Sequence, residues 1–142
     1  MGSMVLVGKP VFLIAEDDPD DQFLIRSVAN EVCAPETKMH FVEDGIALLD
    51  YLQQNKEGSS RPDLILLDLN MPRRDGRQVL KDIKNDPELA MIPTVIMTTS
   101  NRDEDVNYCH SLGIQGFFRK PGPIAELREI IRKLCEEFLP KG

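Results

Sequence analysis

The sequence predicts an α/β fold in which a doubly wound parallel sheet carries helices on both faces. Three observations lead there. Five short apolar runs alternate with five stretches of helical periodicity, which is the signature of repeated βα units. The central run, Leu64-Ile65-Leu66-Leu67, is continuously apolar, as a strand covered on both sides must be. Acids, a threonine and a lysine stand at the carboxyl ends of these runs, where open α/β sheets place their ligand sites.

The first run is Val11-Phe12-Leu13-Ile14-Ala15, ending at Glu16-Asp17-Asp18. A helix is predicted next. Asp18 suits its N-cap, Pro19 its first position, and Asp20 and Asp21 the positive end of its dipole. Leu24, Ile25, Val28 and Val32 mark its apolar stripe. Lys38 to Val42 alternates in polarity, as a strand nearer a sheet edge would, and Ile46, Leu49 and Leu52 mark the second helix. A polar connector, Asn55 to Pro62, leads into the central strand. Met71-Pro72 and Asp75-Gly76 break that strand, and Val79, Leu80 and Ile83 supply a third stripe. Thr94-Val95-Ile96-Met97 ends at Thr98-Thr99-Ser100 and precedes a weaker helix, Asp103 to Leu112, with Val106, Cys109 and Leu112 as its spine. Gly116-Phe117-Phe118 ends at Arg119-Lys120-Pro121. The last helix is the clearest, with Ile124, Leu127, Ile130, Ile131, Leu134 and Phe138 on one face.

At 142 residues the chain has the length of one domain, assigned to residues 10–139, with residues 1–9 as an N-terminal extension. Met1-Gly2-Ser3 ahead of Met4 is consistent with a vector remnant. A net charge of −7 argues against direct DNA binding or attachment to an anionic membrane. The three cysteines, Cys33, Cys109 and Cys135, have no metal-like spacing, so reduced thiols and a cytoplasmic location are expected. Val11 to Ala15 is too short for a signal peptide or a membrane span.

Right-handed crossovers bring every strand's carboxyl end to one edge of the sheet. Glu16, Asp17, Asp68, Thr98 and Lys120 would therefore converge. Singly, each has an ordinary explanation as a loop acid, a strand-end threonine or a solubilising lysine. Together, three carboxylates repel one another unless a cation sits among them, and hard oxygen ligands suit Mg²⁺. A metal beside a lysine neutralises the charge that builds up in phosphoryl transfer, and a carboxylate such as Asp68 can accept the phosphoryl group.

On these motifs the chain resembles a response-regulator receiver domain, the phosphoacceptor part of two-component signalling. The residues that carry the likeness are Glu16-Asp17, the run Leu66-Leu67-Asp68-Leu69-Asn70-Met71-Pro72 with Asp75-Gly76, the strand-end Thr98, and Lys120-Pro121. The resemblance implies a flavodoxin-like (βα)5 sheet of strand order 2-1-3-4-5. It implies that Asp68 accepts phosphate from a sensor histidine kinase or phosphotransfer protein. It also implies that Glu16, Asp17, Asp68 and the Asn70 backbone carbonyl surround Mg²⁺, while Thr98 and Lys120 contact the phosphoryl oxygens. Phe117 takes the aromatic switch position beside Thr98, so that the fourth helix, fifth strand and fifth helix would read the state out to a downstream protein or a second copy. A cis bond before Pro121 goes with the family. Thr99 departs from the small residue usual after the strand-end threonine. The combination is similar to small stand-alone regulators paired with phytochrome-type or hybrid histidine kinases.

Three rival readings are weaker. A small Mg²⁺-dependent phosphatase with an aspartyl nucleophile, as in the haloacid-dehalogenase family, needs a second acid two residues on, where this chain has Asn70. A degenerate receiver used only for binding would lack Asp68, Thr98 or Lys120. A flavin-binding protein would want a phosphate cradle where Glu16-Asp17-Asp18 stands, and those acids would repel it.

Overall fold

The computed structural model describes residues 8–139; residues 1–7 of the N-terminal extension lie outside them. In chain order the elements are β1 (Val11–Ala15), α1 (Pro19–Val32), β2 (Lys38–Val42), α2 (Gly45–Gln54), β3 (Leu64–Leu67), α3 (Gly76–Asn85), β4 (Thr94–Thr98), α4 (Asp103–Ser111), β5 (Gly116–Arg119) and α5 (Ile124–Phe138). All four strand pairings are parallel, and the sheet order is β2-β1-β3-β4-β5. This is the doubly wound, flavodoxin-like arrangement expected from the sequence.

The two-residue period of a strand divides the core into two layers. Leu64 and Leu66 of β3 join Phe12, Ile14, Val95 and Met97 beneath α1 and α5. Ile65 and Leu67 point the other way, with Leu13, Ala15 and Ile96, under α2, α3 and α4. That is why β1 and β3 read as unbroken apolar runs, and β4 as an apolar run between two threonines: every residue in them is buried. The edge strand β2 is half-buried along its whole length, so its alternation in sequence does not become an alternation in burial. Three residues assigned to apolar stripes are also substantially exposed, Leu24, Ile46 and Ile124. They sit at the borders of their stripes, where the helix surface turns away from the sheet.

Local signals set the helix starts. Asp18 accepts from the Asp20 N–H at 2.9 Å with Pro19 behind it, Asp44 accepts from Ala47, and Asp75 accepts from Arg77. Asp18 and Asp44 follow their strands within three residues, so those two loops are short, whereas Asp75 closes a longer loop after β3.

The cysteines correct the sequence expectation. Cys33 and Cys135 form a disulfide between the end of α1 and the last turn of α5, with Cα atoms 5.4 Å apart. Only Cys109 is free, and burial pushes its thiol up to about 11. A separation of 102 residues gives no spacing signal; the packing of α1 on α5 makes the pair. The cysteines thus no longer argue for a reducing compartment. No helix among the described residues is long and apolar enough to cross a membrane.

Gly76 ties α3 to the loop that leaves β3. Its N–H donates to the Leu69 carbonyl at 3.0 Å. A Cβ there would fall 2.6 Å from Leu69 Cα and 2.7 Å from the Asp68 carbonyl oxygen, both of them backbone atoms. In the same loop Arg73 holds a left-handed φ of 68°, uncommon for a residue with a side chain. Gly76→Ala is expected to destabilise the fold by about 1–3 kcal/mol, because the added methyl meets backbone that cannot step aside. Chemical denaturation measures this, and an unchanged midpoint would show that the loop is not tightly held.

Candidate functional site

The site forms where the carboxyl ends of β1, β3, β4 and β5 meet. Glu16 directly follows β1, and its N–H donates to the Val42 carbonyl, continuing the ladder one residue past the strand. Its side chain is buried and accepts from the Asp18 N–H at 3.0 Å. Asp68 directly follows β3, with its N–H on the Ala15 carbonyl at 3.1 Å and its side chain buried. Asp17 is exposed at the mouth of the site. Carboxylate oxygens of Glu16, Asp17 and Asp68 lie within 4.8 Å of one another. Three hard oxygen donors at this spacing, two of them buried, fit a small divalent cation such as Mg²⁺.

Lys120 reaches this cluster from the end of β5, where its backbone N–H is held by the Thr98 carbonyl at 2.8 Å. Its ammonium donates to Glu16 Oε1 at 2.7 Å, to Asp21 Oδ2 at 2.8 Å and to Asp68 Oδ2 at 2.9 Å. The three N–H groups of an ammonium are thereby matched by three carboxylates. Burial disfavours the charge on Lys120, but the bonds to Asp21, Glu16 and Asp68 outweigh it and hold the ammonium above the usual lysine range. Lys120 makes these contacts with a trans Lys120–Pro121 bond; no cis peptide occurs among the described residues, contrary to the family expectation. Trans is the lower-energy form of an X–Pro bond by about 0.5–1 kcal/mol, and the lysine needs no other isomer to reach the acids.

Asn70 closes the opposite side. Its N–H donates to Asp68 Oδ1 at 3.0 Å, and its side-chain amide donates to both Thr98 Oγ1 and Thr99 Oγ1 at 3.3 Å. Thr98 is fully buried and Thr99 is exposed. Phe117 on β5 is half-buried against the layer under α2, α3 and α4.

The structure thus brings Glu16, Asp17, Asp68 and Lys120 together, and sets Thr98 beside Asn70. Two arrangements were not foreseen. Its sequence position accounts for Asp21 only as an acid at the dipole of α1, yet it also pairs with Lys120, 99 residues away. Beside the site, Asp105 on α4 accepts from Arg77 Nε and Nη2 at 2.6 Å each and from Ser100 Oγ. That ion pair couples α3, α4 and the loop after β4. Its bond with Arg77, aided by that with Ser100, holds the Asp105 carboxyl well below the usual range despite its burial. Residues 28 apart on different helices leave no local pattern to find.

Burial pushes the Glu16 carboxyl up to about 7. Lys120 and the Asp18 N–H work against that rise, and the charge on Asp68 adds to it. In the metal-free protein the folded chain therefore holds this proton more tightly than the unfolded one, and its contribution to stability is lost as pH rises from 4.5 to about 7. A cation must displace the same proton. Affinity for Mg²⁺ is expected to fall as pH is lowered from 8 to 6, approaching about tenfold per pH unit once Glu16 is protonated. Calorimetry in buffers of different ionisation enthalpy would show proton release on binding at pH 6, and Glu16→Gln should abolish that release.

Comparison with known proteins agrees with this geometry. Residues 12–132 match the response regulator receiver domain family. Response regulator Rcp1 of Synechocystis sp. is 36% identical over 124 residues, covering 86% of this chain and 84% of that protein. The crystal structure of the Mn²⁺-bound form of Rcp1 superposes with a TM-score of 0.81 at 33% identity, over 94% of this chain and 96% of that one. The phosphorylated cyanobacterial phytochrome response regulator RcpA superposes with a TM-score of 0.82 at 36% identity, over 94% and 95% of the two chains. An acidic cluster, a lysine bonded to the strand-end aspartate and a five-stranded sheet of order 2-1-3-4-5 are thus found together in a chain that belongs to the response regulator receiver domain family.

Proposed function

We propose that this receiver is a phosphoacceptor switch in which Asp68 takes a phosphoryl group from a phosphohistidine of a sensor histidine kinase or phosphotransfer protein. The observation that carries the reading is the Lys120 ammonium 2.9 Å from Asp68 Oδ2, beside three carboxylate oxygens within 4.8 Å of one another. A carboxylate oxygen of Asp68 attacks phosphorus in line. A P–O bond forms as the P–N bond to the donor histidine breaks, and the imidazole leaves. Bound Mg²⁺ would neutralise charge on the phosphoryl oxygens, held by Glu16, Asp17, Asp68 and the Asn70 carbonyl. Lys120 moves its bond from the Asp68 carboxylate to a phosphoryl oxygen, and Thr98 Oγ1 donates to another.

Thr98 Oγ1 accepts from the Asn70 amide and keeps its own O–H to donate to the phosphate; as Thr98 draws toward the phosphate it leaves room for Phe117 to turn inward. The surface of α4, β5 and α5 then shifts between two populated arrangements and binds a downstream protein or a second copy. The phosphatase alternative is not favoured, because Asn70 cannot act as a general acid and its amide is already bonded to Thr98 and Thr99. RcpA is described as a phytochrome response regulator, so a phytochrome-type kinase is the first donor to try; a cytoplasmic location belongs to the same reading.

Intact-mass measurement after incubation with acetyl phosphate and Mg²⁺ tests the function. One phosphoryl adduct is expected on the wild type and none on Asp68→Asn or in excess chelator. An adduct that persists in either would overturn the assignment.

The lifetime of that adduct is expected to depend on Thr99. Water must approach the phosphorus opposite the Asp68 oxygen, and Thr99 sits at the open side of the site with its hydroxyl bonded to Asn70. Thr99→Ala should speed loss of the phosphoryl group, by well under the roughly 10²-fold that full misplacement of a reacting group can produce. Decay of the phosphorylated mass at constant Mg²⁺ is the measurement, and an equal or longer half-life in Thr99→Ala would refute it.

A further inference from the structure

Asp21 is the one carboxylate on Lys120 that stands outside the three-acid cluster. Glu16 and Asp68 serve both the lysine and the prospective cation, whereas Asp21 lies in the first turn of α1 and contributes no oxygen to that cluster. We infer that Asp21 is a positioning residue that holds back part of the Lys120 charge from the phosphoryl group, and so sets the balance between cation and anion affinity. The inference rests on the phosphoacceptor reading of Asp68.

The physical ground is a count of donors. An ammonium has three N–H groups, and Asp21 occupies one of them at 2.8 Å. When a phosphoryl group arrives on Asp68, the donor now facing Asp68 is the one free to follow it, while the donor on Asp21 stays on α1. Asp21 also adds a negative charge behind the lysine. That charge weakens the field that attracts an anion and strengthens the field that attracts a cation. Its side chain is 32% exposed and that of Lys120 is 16% exposed, so the effect is partly screened by solvent and by salt.

Asp21→Asn separates charge from shape, because the amide oxygen can still accept from Lys120. Beryllofluoride serves as the phosphoryl mimic, titrated by fluorine NMR at saturating Mg²⁺, with Mg²⁺ alone titrated by calorimetry. Asp21→Asn is expected to bind beryllofluoride about 3- to 10-fold more tightly and Mg²⁺ about 2- to 5-fold more weakly at low salt, with both shifts shrinking as salt is raised. Mere loosening of α1 would weaken both ligands. Asp20→Asn is the control: it removes an equal charge from the neighbouring position, and both affinities should stay within about twofold of the wild type. Shifts in the same direction, no shift, or an equal shift in Asp20→Asn would overturn the role of Asp21. A wild-type protein that binds no beryllofluoride in the presence of Mg²⁺ would overturn the phosphoacceptor reading instead.

Discussion

The contact on which the site depends is the ammonium of Lys120 against three carboxylates. Glu16 and Asp68 are buried side by side at the edge of the sheet, and two anions so placed would repel each other and lose solvation together. Lys120 makes their proximity tolerable. The same lysine bonds to Asp68 directly, so the residue that relieves the repulsion is in contact with the proposed phosphoacceptor. Its pKa is held high by its partners, which keeps it charged across the physiological range. Burial pushes the Glu16 carboxyl up to about 7 in spite of that lysine.

The frame makes this arrangement possible without any side chain having to reach far. Parallel pairing places the ends of β1, β3, β4 and β5 on one edge, and the residues that follow them are held by continued ladder bonds. Glu16 bonds back to Val42, Asp68 to Ala15 and Lys120 to Thr98. Each of these three side chains is thus set by a backbone hydrogen bond of its own. Gly76 adds the remaining constraint, because only a residue without a Cβ lets α3 pack against the peptides of Asp68 and Leu69.

Away from the site, two links tie helices that are distant in sequence. The Arg77–Asp105 pair connects α3 to α4 and takes in Ser100, two residues beyond Thr98. The Ser100 N–H in turn donates to Thr98 Oγ1 at 3.4 Å, so a chain of hydrogen bonds joins Thr98 to α4. On the other face, the disulfide of Cys33 and Cys135 fastens α1 to α5 at the end remote from Lys120. A loop closed over about 100 residues restricts the unfolded chain by about 4–5 kcal/mol in the chain-entropy account, and removes freedom of the two helices to slide apart.

The class of fold, the five strands with their neighbouring helices, and the residues gathered at the carboxyl edge of the sheet are all legible in the chain of amino acids. They are legible because burial on both faces writes itself as an unbroken apolar run, caps such as Asp18-Pro19 are local, and right-handed crossovers leave no choice of edge. The tertiary structure alone decided the partners that join distant elements. Asp21 looked complete as a helix-dipole acid, the disulfide cysteines are separated by 102 residues, and Asp105 lies 28 residues from Arg77. It also decided that Lys120 reaches its acids across a trans peptide, and that Leu24, Ile46 and Ile124 lie at the exposed borders of their stripes. The physical reason is common to all of these. Periodicity and capping are properties of neighbouring residues, whereas pairing across elements depends on the angle and depth at which helices settle on the sheet.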